Sequence, residues 1–174
     1  MTTRRILSII LALVVMAGAG LVEPQLAGAA THPTTTTEKR IAKSVLTLLN
    51  KERKAHHLEP LAMSGKLVTS AHRHNVAMAK ADELSHQLPG EAGFATRITR
   101  AGFRYSYAGE NIGVTTRTNS AGARQLEVLM YNEKPPNDGH RKNILSKHFT
   151  RVGINIFIDK HGNLWLTEDF GRPR

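Results

Sequence analysis

The segment at residues 137–145 carries the side chain in this sequence that is best placed for acid–base or metal chemistry. His140 comes directly after an Asp-Gly pair, and glycine supplies the backbone freedom that a tight turn requires. The apolar residues Ile144 and Leu145 follow, so they can anchor the segment in a core. We therefore predict that His140 lies where a turn meets a helix and that its ring faces a cleft.

The other candidates for chemistry are separate histidines and carboxylates. His86 follows the end of a predicted helix, and Glu110 lies between Gly109 and Asn111 in a predicted strand. Two neutral imidazoles and nearby carboxylates can hold a divalent metal ion with an open water position, or the carboxylates can simply orient the imidazoles. Taken singly, His86 also fits an exposed loop histidine, and Glu110 also fits a solvated carboxylate.

Several common catalytic patterns are missing from the sequence. It has no Gly-x-Ser-x-Gly elbow and no His-Glu-x-x-His zinc helix. His72 and His74 are two positions apart on a predicted helix, so they cannot share a face as a metal pair. We expect one of them to be solvated and the other to be packed in the core with a hydrogen-bond partner.

Composition limits the class of protein. The chain has 174 residues, a formal charge of +10, a pI near 10.3 and no cysteine. This length suits one domain, and the charge favours partners such as nucleic acid, anionic lipid or an anionic wall polymer. The lack of cysteine excludes disulfides, thiolate metal sites and a lipidated N-terminal cysteine.

The N-terminal region predicts export. Arg4 and Arg5 precede an apolar run at residues 6–22, and small residues at 26–30 suit signal peptidase. We assign 1–30 as a signal peptide, 31–37 as a Thr-rich linker and 38–174 as the folded domain. An uncleaved anchor is the alternative interpretation of the apolar run. Export argues against a nucleic-acid partner and favours a secreted protein, free or associated with the cell wall.

Hydrophobic periodicity predicts helices followed mainly by strands. Helical spacing covers residues 38–55, 64–82, 94–101 and 120–133, whereas alternation covers 103–114 and a hairpin at 152–158 and 164–170. This order favours an α+β layered domain over βαβ winding. The residues we expect to be mostly buried are Leu48, Leu67, Met78, Leu129, Ile144, Ile154, Ile156 and Trp165.

Three motifs taken together resemble a known family. They are Leu84-Ser85-His86, then Gly109-Glu110-Asn111-Ile112, then Gly139-His140-Arg141-Lys142-Asn143-Ile144-Leu145 followed by Phe149-Thr150-Arg151-Val152-Gly153-Ile154. Their order is similar to that of the CAP superfamily, or SCP domain. This family groups cysteine-rich secretory proteins, antigen 5 and plant pathogenesis-related-1 proteins with many secreted bacterial relatives. The resemblance spans nearly all of the predicted mature chain.

The resemblance implies a fold and a set of site residues. The fold would be a three-layer α-β-α sandwich with a central antiparallel sheet, and its cleft would hold two histidines and two acids. By this match His86 and His140 would bind a divalent metal ion such as zinc. Glu110 and Glu133 would orient them or hold water, and would be the catalytic carboxylates of an enzyme. The missing cysteines rule out the disulfides of the eukaryotic branch and its cysteine-rich appendage.

Three classes of function remain open at this point. One is an extracellular binding module whose cleft recognises a lipid, a peptide or a cell-wall component, and it is the class we favour. Another is a metal-dependent hydrolase of peptides or esters, in which Glu110 acts as the base. The third is an electrostatic binder of anionic wall polymers or lipids. Whether the protein is an enzyme stays open. After signal cleavage it would not be an integral membrane protein.

Overall fold

A computed structural model of the protein describes residues 33–174, so the predicted signal segment 1–30 lies outside the described residues. Five helices and four strands make up the described part. The helices are α1 (Thr36–Ala55), α2 (Gly65–Ala81), α3 (Phe94–Arg100), α4 (Ser120–Tyr131) and α5 (Gly139–Ile144). The strands are β1 (Ala62–Met63), β2 (Tyr105–Thr115), β3 (Arg151–Ile158) and β4 (Leu164–Pro173). None of the described helices has the length and apolar character needed to cross a membrane.

Helix α1 begins at a capping box. The Thr35 side chain accepts a hydrogen bond from the Glu38 backbone N–H, and the Glu38 carboxylate accepts one from the Thr35 N–H. Both bonds satisfy donors that a helix start leaves unpaired. Residues 35–37 of the predicted Thr-rich linker therefore form the cap and first turn of α1.

The four strands form one sheet in the order β1-β3-β4-β2. Strand β4 is antiparallel to both of its neighbours, whereas the short β1 runs parallel to β3. Side chains alternate between the two faces of a strand. Leu164, Leu166 and Phe170 of β4 therefore join a core with α1 and α4, and Trp165 joins one with α2.

The helices cover both faces of this sheet, with α1 and α4 on one side and α2 and α3 on the other. This arrangement confirms the predicted α+β sandwich around a largely antiparallel sheet. Strand β1 was not predicted, because two residues are too few to show an alternating pattern.

Most of the predicted core residues are buried, with two differences. Leu67, Met78, Ile144, Ile154, Ile156 and Trp165 are all buried, but Leu48 is only half-buried. The prediction for Leu129 was wrong, because its side chain is 43% exposed. The buried stripe of α4 instead runs through Ala123, Leu126 and Met130, and Leu129 lies on the flank of that stripe.

Candidate functional site

His86 and Glu110 form the first buried histidine–carboxylate pair. His86 lies in the loop after α2 and is buried rather than exposed, and its Nδ1 is 2.9 Å from Glu110 Oε1. Arg97 Nη2 of α3 donates to the other oxygen of the same carboxylate. Burial raises the pKa of Glu110, but the hydrogen bond from His86 and the charge of Arg97 outweigh burial, so its pKa lies below the usual value. Glu110 is therefore a buried anion and not a solvated carboxylate.

His74 extends this network on the α2 side. Its Nδ1 is 3.0 Å from Glu91 Oε1, and its Nε2 is 4.0 Å from Glu110 Oε1. The ring is fully buried, whereas His72 is partly exposed. His74 is the packed histidine with a hydrogen-bond partner, as predicted, and it borders the candidate site, whereas His72, expected to be solvated, is half-buried.

Asp169 of β4 adds a second buried carboxyl group beside Glu110. The two residues are directly opposite each other in the β2–β4 register, and both are fully buried. Burial raises the pKa of Asp169 well above its usual value, and the charge of Glu110 raises it further. Burial and the neighbouring Glu110 anion therefore both favour the protonated form of Asp169.

His140 and Glu133 form the second histidine–carboxylate pair. His140 lies in the first turn of α5, at the turn-to-helix junction that the sequence predicts, and it is fully buried. Its Nδ1 is 2.5 Å from Glu133 Oε1, and its backbone N–H donates to Glu133 Oε2 at 2.9 Å. The Glu133 carboxylate, located between α4 and α5, therefore fixes both the backbone and the ring of His140.

The two histidine–carboxylate pairs meet strand β2 at neighbouring residues, Glu110 and Asn111. Strand β2 lies at the edge of the sheet. Glu110 faces α2 and α3, and Asn111 points to the opposite face, where its Nδ2 donates to the His140 carbonyl at 3.4 Å. Asn143 of α5 joins the two positions, because its Nδ2 donates to the Glu110 carbonyl at 3.2 Å and to Asn111 Oδ1 at 2.9 Å. Helix α5 is thereby tied to the part of β2 that carries Glu110.

The donor set suits a metal ion only in part. With each Nδ1 hydrogen given to a carboxylate, the lone pair of the neutral ring lies on Nε2, as in carboxylate-supported imidazole ligands. Within residues 33–174, however, no three histidine, cysteine, aspartate or glutamate side chains are grouped in a way that would hold a metal. An ion bound by His86 and His140 would thus need water or an added ligand to complete its coordination.

A second group of carboxyls is buried on the other face of the sheet. Glu52 of α1, Glu127 of α4 and Glu168 of β4 form this group, which we call the carboxyl triad. Burial raises the pKa of all three, and it brings the pKa of Glu168 to about 7. Asn111 Nδ2 donates to Glu168 Oε2 at 3.1 Å, so the triad contacts the same asparagine that holds His140.

Sequence reasoning named both histidine–acid pairs but missed Arg97, Asp169 and the carboxyl triad. A signal for Arg97 was present, since it precedes the buried Ile98 and lies three positions after the buried Phe94. A cation at such a position of a short helix indicates a buried ionic partner, because lone buried charges are costly.

Comparison with protein families supports the motif match. A family model described as the cysteine-rich secretory protein family, CAP, matches residues 46–170. An uncharacterized protein of Bacillus subtilis, YkwD, is 29% identical over 145 residues, which is 82% of this chain and 52% of that protein. The chain therefore spans about half the length of this curated relative.

Solved structures show the same fold. An extracellular protein with an SCP domain from Bacillus anthracis has a TM-score of 0.67 and 26% identity, over 82% of this chain and 45% of that one. An outer surface protein of Borrelia burgdorferi has a TM-score of 0.68 and 15% identity, over 78% of this chain and 95% of that one. The second match covers nearly the whole of the solved chain.

Proposed function

This chain belongs to the cysteine-rich secretory protein (CAP) family, and on that premise we propose that it is an exported binding module whose cleft holds a divalent metal ion such as zinc. The observation that carries the proposal is the paired arrangement of His86 with Glu110 and His140 with Glu133, each through Nδ1. The descriptions of similar solved proteins as extracellular or outer surface proteins support export.

In this proposal the two histidines are the protein's metal ligands. Each would bind through Nε2, while Glu110 and Glu133 hold the rings in place. The two rings would have to approach each other beside β2, the edge strand of the sheet, where Asn143 ties α5 to the Glu110 backbone. The bound ion would act as a Lewis acid and attract a carbonyl, carboxylate or phosphate oxygen. Such an oxygen would belong to an extracellular ligand such as a peptide, a lipid or a wall component.

Binding is better supported than hydrolysis by the surroundings of Glu110. A general base must accept a proton from water near neutral pH. Glu110 instead has a lowered pKa, is fully buried and already accepts hydrogen bonds from His86 and Arg97. It is better suited to orienting a ring than to activating water.

Zinc binding tests the proposal directly. Titration calorimetry of the purified protein with ZnCl₂ is expected to give one ion per chain. The double variant His86→Ala/His140→Ala should lose that binding, because two waters cannot replace both imidazoles. The matched control is His57→Asn/His161→Ala, which removes two exposed histidines.

Three results would separate the alternatives. If the wild type retains no zinc, or if the double variant binds as well as the control, the metal proposal fails. If instead the protein cleaves a peptide or ester, and both chelation and His140→Ala abolish that turnover, the protein is a hydrolase.

Helix α1 supports a second candidate function, the binding of a polyanion. Its exposed cations are Lys39, Arg40, Lys43, Lys51 and Lys54, and its two acids, Glu38 and Glu52, are buried. At 100° per residue the five cations lie within an arc of about 120° on the outer side of the helix. We infer that this surface, which we call the basic face, attracts linear phosphate polymers of the cell wall.

The basic face can be tested with immobilised inorganic polyphosphate. Changing Lys39, Lys43, Lys51 and Lys54 to Gln is expected to weaken binding about tenfold or more at low salt, and wild-type binding should fall steeply as salt is added. The control changes four exposed cations elsewhere, Lys80, Arg104, Lys147 and Lys160. If both quadruple variants lose polyphosphate binding equally, the binding depends on net charge and not on the basic face. If His86→Ala loses it, the polyanion binds in the cleft.

A further inference from the structure

Arg97 binds three acceptors that come from different parts of the candidate site. It is 8% exposed, and its Nη1 donates to the backbone carbonyls of His86 and Ala92, each at 2.9 Å. Its Nη2 donates to Glu110 Oε2. A second carboxylate, that of Glu91, lies 3.6 Å from Nη1. One guanidinium thus joins the loop that carries His86 to strand β2.

These contacts close a triangle around His86. The Arg97 guanidinium binds the backbone carbonyl of His86, the His86 ring binds Glu110 through Nδ1, and the Glu110 carboxylate returns to Arg97. Because the guanidinium is planar and its donors are fixed in a fork, it sets the direction as well as the charge of its partners. A lysine at this position would keep the charge, but its single nitrogen cannot reproduce the planar fork that uses Nη1 and Nη2 of Arg97 for different acceptors.

Burial gives this triangle its strength. Glu110 and His74 are fully buried, and Asp169 places another carboxyl directly across from Glu110. A carboxylate in such surroundings needs a paired cation, and removing that partner is costly. Of the groups that contact Glu110, Arg97 is the one whose positive charge does not depend on pH.

From this geometry we propose that Arg97 is the positioning residue of the site: it holds the Glu110 carboxylate against His86 Nδ1 and so keeps the His86 ring in the Nδ1–H tautomer, with the Nε2 lone pair as the binding atom. The role of Nε2 as a metal ligand rests on the proposed function. The tautomer itself does not, because the ring and its partners are present without a metal.

Nitrogen-15 NMR of the histidine rings in the full chain tests the proposal without any metal. The wild type is expected to show a single Nδ1–H tautomer for His86. Arg97→Lys should give a mixture of the two tautomers, and zinc affinity should fall about tenfold, as is usual when outer partners of a ligand are lost.

Arg53 provides the matched control. It is 1% exposed, and its guanidinium donates to the carbonyls of Glu59, Ile144 and Ser146 but binds no carboxylate in these contacts. Arg53→Lys therefore removes a comparable buried fork, and it should lower stability while leaving the His86 ring signals unchanged.

Either of two outcomes with the arginine variants overturns the proposal. One is a single Nδ1–H tautomer in folded Arg97→Lys, and the other is an equal change of the His86 signals in Arg53→Lys. Should Arg97→Lys fail to fold, Glu110→Gln decides, because it leaves Arg97 and its carbonyl partners in place. An unchanged tautomer in Glu110→Gln contradicts the triangle. A wild type that binds no zinc but shows the predicted tautomers would refute the metal function and support the positioning role.

Discussion

Raising the pH from 5 to 8 is expected to lower the free energy of unfolding by about 3 kcal/mol, because the carboxyl triad must lose protons inside the folded protein. Burial raises the pKa of Glu168 from 4.5 to about 7. The difference, 7 − 4.5 = 2.5, corresponds to about 3 kcal/mol at 1.36 kcal/mol for each pKa unit. Urea denaturation at a series of pH values measures the change.

The direction of this effect follows from where the protons are bound. Between pH 4.5 and about 7 the unfolded chain has released the Glu168 proton and the folded chain still holds it, so the stability present below pH 4.5 is lost as the pH rises through 7. Glu127 and Asp169 act in the same direction, since the pKa of each is raised well above its usual value. Glu110 acts in the opposite direction, but its lowered pKa places that loss below pH 4.5. Stability should therefore be greatest in mildly acidic solution.

Burial raises the pKa of Glu168, and the groups that face it are carboxyls and an amide. Glu127 faces it from α4, Glu52 faces it from α1, and the neutral amide of Asn111 faces it from β2. The charges of Arg141 and Lys51 act to lower the pKa of Glu52, but burial outweighs them. No hydrogen bond or ion pair in the described part of the chain joins a lysine or arginine directly to the triad.

The variant Glu168→Gln tests whether the Glu168 carboxyl causes the pH dependence of the free energy of unfolding. Its amide oxygen can still accept from Asn111, but it has no proton to lose, so the stability of the variant should change much less between pH 5 and 8. At pH 8 it should be more stable than the wild type. The exposed Glu83→Gln serves as the control and should follow the wild-type curve. If Glu168→Gln keeps the full slope, the pH dependence arises elsewhere.

The elements of the fold were predictable wherever apolar spacing was regular. The period of Ile41, Val45 and Leu49 marked α1, and the alternation of Ile154 and Ile156 marked β3. Leu129 shows the limit of such patterns. It directly precedes the buried Met130 and looks like a core leucine in the sequence, but its side chain lies outside the core. The facing of an individual residue depends on what packs against the helix, which one sequence does not contain.

The candidate site was also predictable from the sequence only in part. The two histidine–acid pairs came from motif resemblance, and the structure pairs the residues through hydrogen bonds. The buried acids did not come from it, since a glutamate on a helix is usually solvated. Yet Glu52 follows the buried Leu49 by three positions, and Glu127 follows the buried Ala123 by four. An acid in phase with the apolar stripe is the signal that would have indicated the carboxyl triad.

Helix α2 packs tightly on β3 at Gly153, and Gly153→Ala is expected to destabilise the domain by about 3 kcal/mol or more. A methyl group built there would lie 2.1 Å from the Leu67 carbonyl carbon and 2.3 Å from the Val68 nitrogen. Both atoms belong to the backbone of α2, so a change of side-chain rotamer cannot relieve the clash. Thermal denaturation of the variant measures the loss.

Relief of this clash requires that α2 move away from β3, and the movement would reach the candidate site. Helix α2 carries His74, which contacts Glu91 and lies 4.0 Å from Glu110. The same substitution at Gly65 provides the control, because Gly65 begins α2 and a methyl group there meets no atom within 4 Å. Gly65→Ala should be neutral or should stabilise the helix by about 0.5 kcal/mol. Equal melting temperatures for the two variants would mean that α2 is not held against β3 at the distance described, and that the positions of His74 and Glu110 do not depend on this contact.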